Sequence, residues 1–339
     1  MPQITIPWKT HYFYRNRLNP ADSAIYETIF DGLMNWKSQI ILKKQYDIEH
    51  VYSIYTMVLR DCPMLFHVST GISMHKFPVA IVVPNYIMTP EQYERASRKV
   101  QEFALRSVDK MKHLDPYHRA KNIHDSMLKH VIYGDLDAEH SHNAIGAILK
   151  KLAVCESISK AYKLLCDVNQ IPCIVIFGYG SSADGVNWGD VASDDHEDNH
   201  AWNCIKVGGR WYNVDVTYDL GISNYPKDQA FRYDYFCRSD AVFRADHRPS
   251  GAMLPKCEKD HSVYRSLQHY VTSNADLVTL VRKLAPKGTK SIVFEYEPSP
   301  HLSPDTMVRL LAFILIDRGL LPCSYSTNPA MHIMQVYFQ

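Results

Sequence analysis

An α+β fold is what this sequence predicts, and three observations carry it. Helical periodicity fills the first third, a helix opens at Cys155, and the runs that follow have β-strand patterning with a Gly208-Gly209 turn between two of them. With 339 residues and 46% hydrophobic content, the chain can bury more than one packed unit.

Taken in order, the first helix spans about 19 to 42, opened by Asn19-Pro20 and carrying Ile25, Ile29, Leu33 and Met34 at helical spacing. Asp47 can cap a second helix through Val51, Ile54, Tyr55 and Val58, which stops near Asp61-Cys62-Pro63. The β-branched stretch 74–83 holds one or two strands, and Thr89-Pro90-Glu91 opens a long charged helix toward Met111. Residues 1–112 are therefore expected to form a mainly helical N-terminal unit.

A core is expected over 113–255. It contains a helix from 116 to 133, a short one around 144–150, the helix at Cys155, and strands at 174–178, 201–207 and 210–216. The remainder, 256–339, alternates helix (275–284), strand (291–296), helix (304–318) and strand (332–338), which predicts a small C-terminal α/β unit. No repeat, low-complexity tract or long linker separates the three, so they are expected to pack together.

Charge gives no partner away. With 37 basic and 36 acidic residues the net charge is +1, which supplies no long-range field for a nucleic acid. The N-terminus has no secretory pattern, and the longest apolar run, around 310–316, falls far short of the roughly 20 residues a bilayer demands. A cytoplasmic protein with no membrane partner is expected. The eight cysteines are dispersed in apolar contexts with no C-x-x-C pair, so neither a disulfide framework nor a metal or other cofactor is anticipated.

Chemistry begins at Cys155. Val154, Ile158, Ala161, Tyr162 and Leu165 mark one helical face, which puts Cys155 in the first turn. There the unpaired backbone N–H groups and the helix dipole favour a thiolate. A single cysteine at a helix start is more often a packed thiol, so the signal needs partners.

They come from the hairpin that runs from His200 to Thr217. Counting back from a two-residue Gly-Gly turn pairs Trp202 with Asp215 and His200 with Thr217, which sets His200 and Asp215 diagonally on one face, roughly 7 Å apart at the backbone. A one-residue bulge would break that parity. A thiolate, an imidazole to exchange its proton and a carboxylate to fix the imidazole tautomer are the minimal set for covalent acyl transfer.

The order of a Cys helix, a strand with His200-Ala201-Trp202-Asn203 and a strand with Tyr212-Asn213-Val214-Asp215-Val216-Thr217-Tyr218-Asp219 resembles bacterial transglutaminase-like proteins. The likeness runs from about Tyr133 through Ser141-His142-Asn143-Ala144-Ile145-Gly146, Ile171-Pro172-Cys173 and the hairpin to Tyr235-Phe236 and Asp246-His247, about the middle third of the chain. It implies a papain-like core with an antiparallel sheet, Cys155 as nucleophile, His200 as base and Asp215 as its orienter. Two departures stand out: Ser157 occupies a position that is commonly Gly, and Lys151-Leu152-Ala153 replaces a Gly before the nucleophile. Both bear on the oxyanion hole, whose donor by resemblance is the backbone N–H of Cys155, with His142 or Asn143 as side-chain candidates near the substrate.

Trp202, one pleat from His200, can shield the imidazole or wall the acyl pocket, or can be an ordinary core aromatic. Asp219 is a candidate second carboxylate on a continued strand, though more often such a residue forms a turn. The acidic loop 181–199, with Asp184, Asp190, Asp194, Asp195, Glu197 and Asp198, is either a lid or a solvated insertion, the latter favoured because its spacing is not that of a calcium loop. His196 lies in it without a partnering strand.

The expected activity is attack on a peptide or carboxamide carbonyl through an acyl-thioester, with hydrolysis ahead of transfer to an amine because no dry amine channel is evident. The partner is then a peptide or protein substrate. A silent member used as a binding scaffold is the rival from another class.

Overall fold

The computed structural model describes residues 4–76, 78–134, 140–181, 199–223, 231–251, 253–316 and 319–339. The chain divides into two compact units, Met1–Trp211 with Arg248–Lys256, and Tyr212–His247 with Cys257–Gln339.

In the first unit, α1 (Pro20–Met34) starts where the Asn19 side chain accepts from the N–H groups of Ala21 and Asp22. It stops well before residue 42 because Trp36 takes a left-handed backbone, φ 56°, which no helix continues through. The released chain forms β1 (Ile40–Ile41) and then α2 (Ile48–Asp61), which ends where the sequence places its stop. β2 (Val68–His75) and β3 (Ile81–Tyr86) pair antiparallel and make a sheet of order β1-β3-β2, so the predicted 74–83 stretch holds the end of one strand and the first half of the next.

A capping box between Thr89 and Gln92 opens α3 (Pro90–Met111), and Asp115 caps α4 (Pro116–His130). The tail of the predicted 116–133 helix is instead β4 (Ile132–Tyr133), which pairs parallel with β5 (Leu152–Ala153). A π-helical turn, Gly146–Lys150, ends at left-handed Lys151, and α5 (Cys155–Val168) follows as expected.

β6 (Cys173–Gly180) and β7 (His200–Val207) are antiparallel, in register from Cys173↔Ile205 to Gly178↔His200. Gly208 and Gly209 both have positive φ, 56° and 79°, which is the two-residue turn that a right-twisted hairpin favours. It leads to β8 (Arg210–Val214), within which the boundary between the units falls.

The N-terminal segment is fastened to its unit by buried charge. Asp61 accepts from the backbone N–H of Phe13, Tyr14 and Arg15 and from the Tyr26 hydroxyl. Lys163 joins both oxygens of Asp167 at 3.1 and 3.0 Å and donates to the His11 carbonyl.

The predicted strand 210–216 ends two residues early. Asp215 turns its carboxylate onto the N–H groups of Thr217 and Tyr218 and caps α6 (Val216–Ser223), and this local bonding outcompetes ladder pairing. Thr217 is thus helical, and the diagonal argument built on pairing it with His200 does not hold. Asp219 likewise does not continue a strand: it sits in α6, buried, accepting from the backbone N–H of Tyr235.

The second unit continues with β9 (Phe236–Arg238), antiparallel to β8, and α7 (Asp240–Phe243), then β10 (His247–Pro249), whose first residue belongs to it, and α8 (Val263–Ser266). Its last part holds β11 (Tyr270–Val271), α9 (Asn274–Leu284), β12 (Ser291–Tyr296), α10 (Pro304–Ile314), β13 (Pro322–Asn328) and β14 (Ile333–Phe338) in a sheet of order β11-β12-β14-β13. Strand β13 escapes sequence reading because it is an edge strand of mixed polarity opened by proline. Leu277, Val281, Phe294, Leu311, Met334 and Val336 form the core between this sheet and its helices.

Candidate active site

Seven of the eight cysteines have described side chains, all seven are free thiols, and Cys155 alone among them is not buried. It is the first residue of α5. Val154, the cap, supplies no side-chain acceptor, so the first-turn N–H groups keep their donor capacity toward whatever anion sits there. The Ser157 hydroxyl donates to the Asn143 carbonyl at 2.5 Å and accepts from the Ala147 N–H at 3.0 Å, which holds the 143–147 segment against the helix start. The serine that departs from the family pattern therefore has a structural task.

Gly146 makes this approach possible: a Cβ there would meet the His140 carbonyl oxygen at 2.5 Å and Ser157 Oγ at 2.8 Å. Only a residue without a side chain fits.

His200 is the first residue of β7 and is buried. The helix and strand are joined at this end: Ser159 Oγ donates to the Ala201 carbonyl at 2.8 Å, and Asn203 Nδ2 donates to the Ser159 carbonyl at 3.0 Å. Cys155 is one helical turn before Ser159 and His200 is one residue before Ala201, so both residues lie near the same end of the α5–β7 contact. Trp202 stacks beside His200, ring centroids 6.0 Å apart and planes 21° from parallel, with 1% of its surface exposed. That leaves it little surface for a ligand; it supports the imidazole from within the core.

Asp215 belongs to the second unit. Besides capping α6 with Oδ1, it places Oδ2 3.0 Å from Nε2 of His247, whose Nδ1 lies 2.6 Å from Asp246 Oδ1; Tyr235 then donates its hydroxyl to Asp246 Oδ2. All four side chains are buried. The sequence carried His247 only as part of a resemblance, and no spacing rule links it to Asp215, 32 residues earlier.

His142 and Asn143 take different places. The Asn143 side chain is buried, accepting from the Ile145 N–H and donating to the Phe66 carbonyl, so it shapes its own turn. His142 pairs through Nδ1 with Glu156 at 2.9 Å, and Lys160 bonds the other Glu156 oxygen at 2.6 Å. Burial alone would raise the Glu156 carboxyl, but the Lys160 and His142 charges outweigh it and hold the group at about 2. This triplet beside Cys155 was missed in the sequence, although Glu156 and Lys160 have the i,i+4 spacing that signals a pair. The acidic loop and His196 lie outside the described residues, apart from the flanking Ser181 and Asn199.

The family model described as "Transglutaminase-like superfamily" matches residues 106–216, a span that includes Cys155, His200 and Asp215. This chain carries a transglutaminase-like domain. The fold expected from the sequence is therefore that of the domain, with α5 and the β6–β7 pair as its described centre. A protein named kyphoscoliosis peptidase is similar to it over 98 residues, at 31% identity in Mus musculus and 30% in Homo sapiens. The match covers 28% of this chain and 14% of each relative, so the chain accounts for about a seventh of those proteins. A crystal structure of a TGase overlays at TM-score 0.30 and 11% identity, covering 72% of this chain and 66% of that one. So loose an overlay fixes no residue correspondence. Among the described residues no helix is long and apolar enough to cross a membrane.

Proposed function

We propose that the transglutaminase-like domain is a cysteine-nucleophile acyl-transfer enzyme acting on a peptide or carboxamide bond. His200 takes the Cys155 proton, Sγ bonds to the substrate carbonyl carbon, and the C–N bond breaks as the imidazolium returns a proton to the leaving amine. Water then attacks the thioester, releases the carboxylic acid and regenerates the thiol. Asp215 orients the His200 ring, and the backbone N–H of Cys155 serves the oxyanion.

The observation that carries this reading is the placement of Cys155: the one unburied thiol among those described, at an uncapped helix start, one turn from a helix–strand junction that begins with His200. The peptidase name of the two curated relatives supports water as acceptor ahead of an amine.

The test is the rate of Cys155 alkylation against pH, read by peptide mass spectrometry, in the native protein and in His200→Ala and Asp215→Ala. Fast labelling well below the free-thiol pKa of about 8.5, lost in His200→Ala, is the expected result. An ordinary thiol titration in all three proteins would overturn the triad.

A catalytically silent binding scaffold is the second reading. What favours it is the engagement of Asp215, one oxygen on the α6 N–H groups and the other toward His247, which is also how a purely structural carboxylate looks.

A further inference from the structure

We infer that a cleft beside Cys155 reads a carboxylate on the acyl-donor peptide, with Arg60 as the specificity-determining residue. This rests on the proposed peptide chemistry at Cys155 and adds a substrate class to it.

The cleft has a volume of about 560 Å³ and is walled by Tyr52 and Arg60 of α2, Thr70 of β2, Glu156 and Lys160 of α5, and Phe177 of β6. Glu156 directly follows Cys155 in α5, so one wall of the cleft begins at the residue next to the thiol. A second cavity of about 450 Å³ shares Thr70 and Lys160 with it, which extends the groove toward His142.

Its charges do not cancel. The Glu156 carboxylate is matched twice, by Lys160 at 2.6 Å and His142 at 2.9 Å. Lys160, only 6% exposed, places two of its three N–H donors, on Glu156 and on the His142 carbonyl at 3.1 Å. Arg60 meets the Tyr14 hydroxyl, but among the described residues no carboxylate is paired with it. Its guanidinium carbon lies 4.1 Å from the centroid of the Phe177 ring, and its Nε is buried without a hydrogen-bond partner. The adjacent Asp61 is no counter-ion for it, since that carboxylate is occupied by the N–H groups of residues 13–15 and by Tyr26.

A guanidinium held over an aromatic face at the cleft wall, with no carboxylate paired to it among the described residues, offers its outer N–H groups to a planar two-oxygen acceptor. Contact with the ring restricts the side chain beforehand, so less of its freedom is lost when a ligand arrives. A carboxylate from an Asp or Glu side chain, or from a peptide C-terminus, has that geometry.

The experiment measures equilibrium binding to Cys155→Ala, which cannot turn over, and so is independent of whether the thiol is catalytic. Three fluorescent hexapeptide pools are compared: internal Glu with an amidated end, internal Gln with an amidated end, and internal Gln with a free C-terminal carboxylate. The expected result is binding about tenfold tighter for one carboxylate pool than for the neutral pool, with the stronger of the two identifying the source. The advantage should vanish in Cys155→Ala/Arg60→Gln, persist in part in Cys155→Ala/Arg60→Lys, and shrink as salt rises. Equal binding of all three pools, or an acidic preference unchanged in both Arg60 variants, would overturn the proposal. Activated-thiol labelling with equal pool binding would remove the carboxylate subsite alone, whereas selective binding with an ordinary thiol titration would remove the chemistry alone.

Discussion

Nε2 of His247 lies 3.0 Å from Oδ2 of Asp215, and both side chains are buried. The same ring meets Asp246 with its other nitrogen, so one imidazole stands between two carboxylates that have little water to turn to. His247→Ala should therefore destabilise the protein by about 3 kcal/mol, because it leaves both acids without this partner. His247→Gln keeps one donor and should cost about half as much. Urea unfolding of both variants checks the order, and equal losses would deny the two-sided role.

Glu156 gives a pH dependence with a definite sign. Its folded-state value of about 2 lies below its ordinary 4.5, so the folded protein binds that proton more weakly than the unfolded chain. The stabilisation is present in full above about pH 4.5 and is lost as pH falls toward 2, with a size on the order of 3 kcal/mol. Glu156→Gln should be less stable than the native protein at pH 7, and the gap should narrow on acidification through that window. A gap that is constant from pH 7 to pH 3 would place the ion pairs outside the stability balance.

The N-terminal segment depends on Asp61, which accepts from three consecutive backbone N–H groups. Replacement by Ala strands buried donors, and a loss of about 3–5 kcal/mol is expected. Limited proteolysis should then cut within residues 11–18 before any other site. Unchanged cleavage order would show that the aromatic packing of Phe13 against Tyr14 and Trp211 suffices to hold the segment.

Two substitutions probe the seat of the thiol. Ser157→Ala removes the hydroxyl that ties residues 143 and 147 to α5, which should cost about 1–2 kcal/mol and slow Cys155 alkylation at neutral pH. Gly146→Ala should do more, because the atom its Cβ would strike first is the backbone oxygen of His140, which cannot swing aside like a side chain. If both variants alkylate at the native rate, the 143–147 segment does not govern thiol geometry.

How much of this was legible beforehand depended on the range of the forces involved. Cys155 at a helix start, the Gly208-Gly209 turn and the helix openings at Asn19 and Thr89 were readable because each is fixed by bonds within a few residues, whereas Asp47, read as a cap, makes no side-chain capping bond. The early end of β8 was local too, yet it was misread: Asp215 can serve a ladder or cap a helix, and the sequence shows the residue but not which set of N–H groups its carboxylate finds.

By itself, the sequence determined the helix that carries Cys155, the strand that begins at His200 and the domain family to which that pattern belongs. Periodicity and turn chemistry act along the chain, and they are written in neighbouring residues. Only the tertiary structure decided that Asp215 meets His247, that Glu156 is held by His142 as well as Lys160, and that Arg60 lies over Phe177 with an orphaned nitrogen. Those pairings join residues from 14 to more than 100 positions apart. They are set by which surfaces pack together, where a buried charge must find a partner or remain available for a ligand.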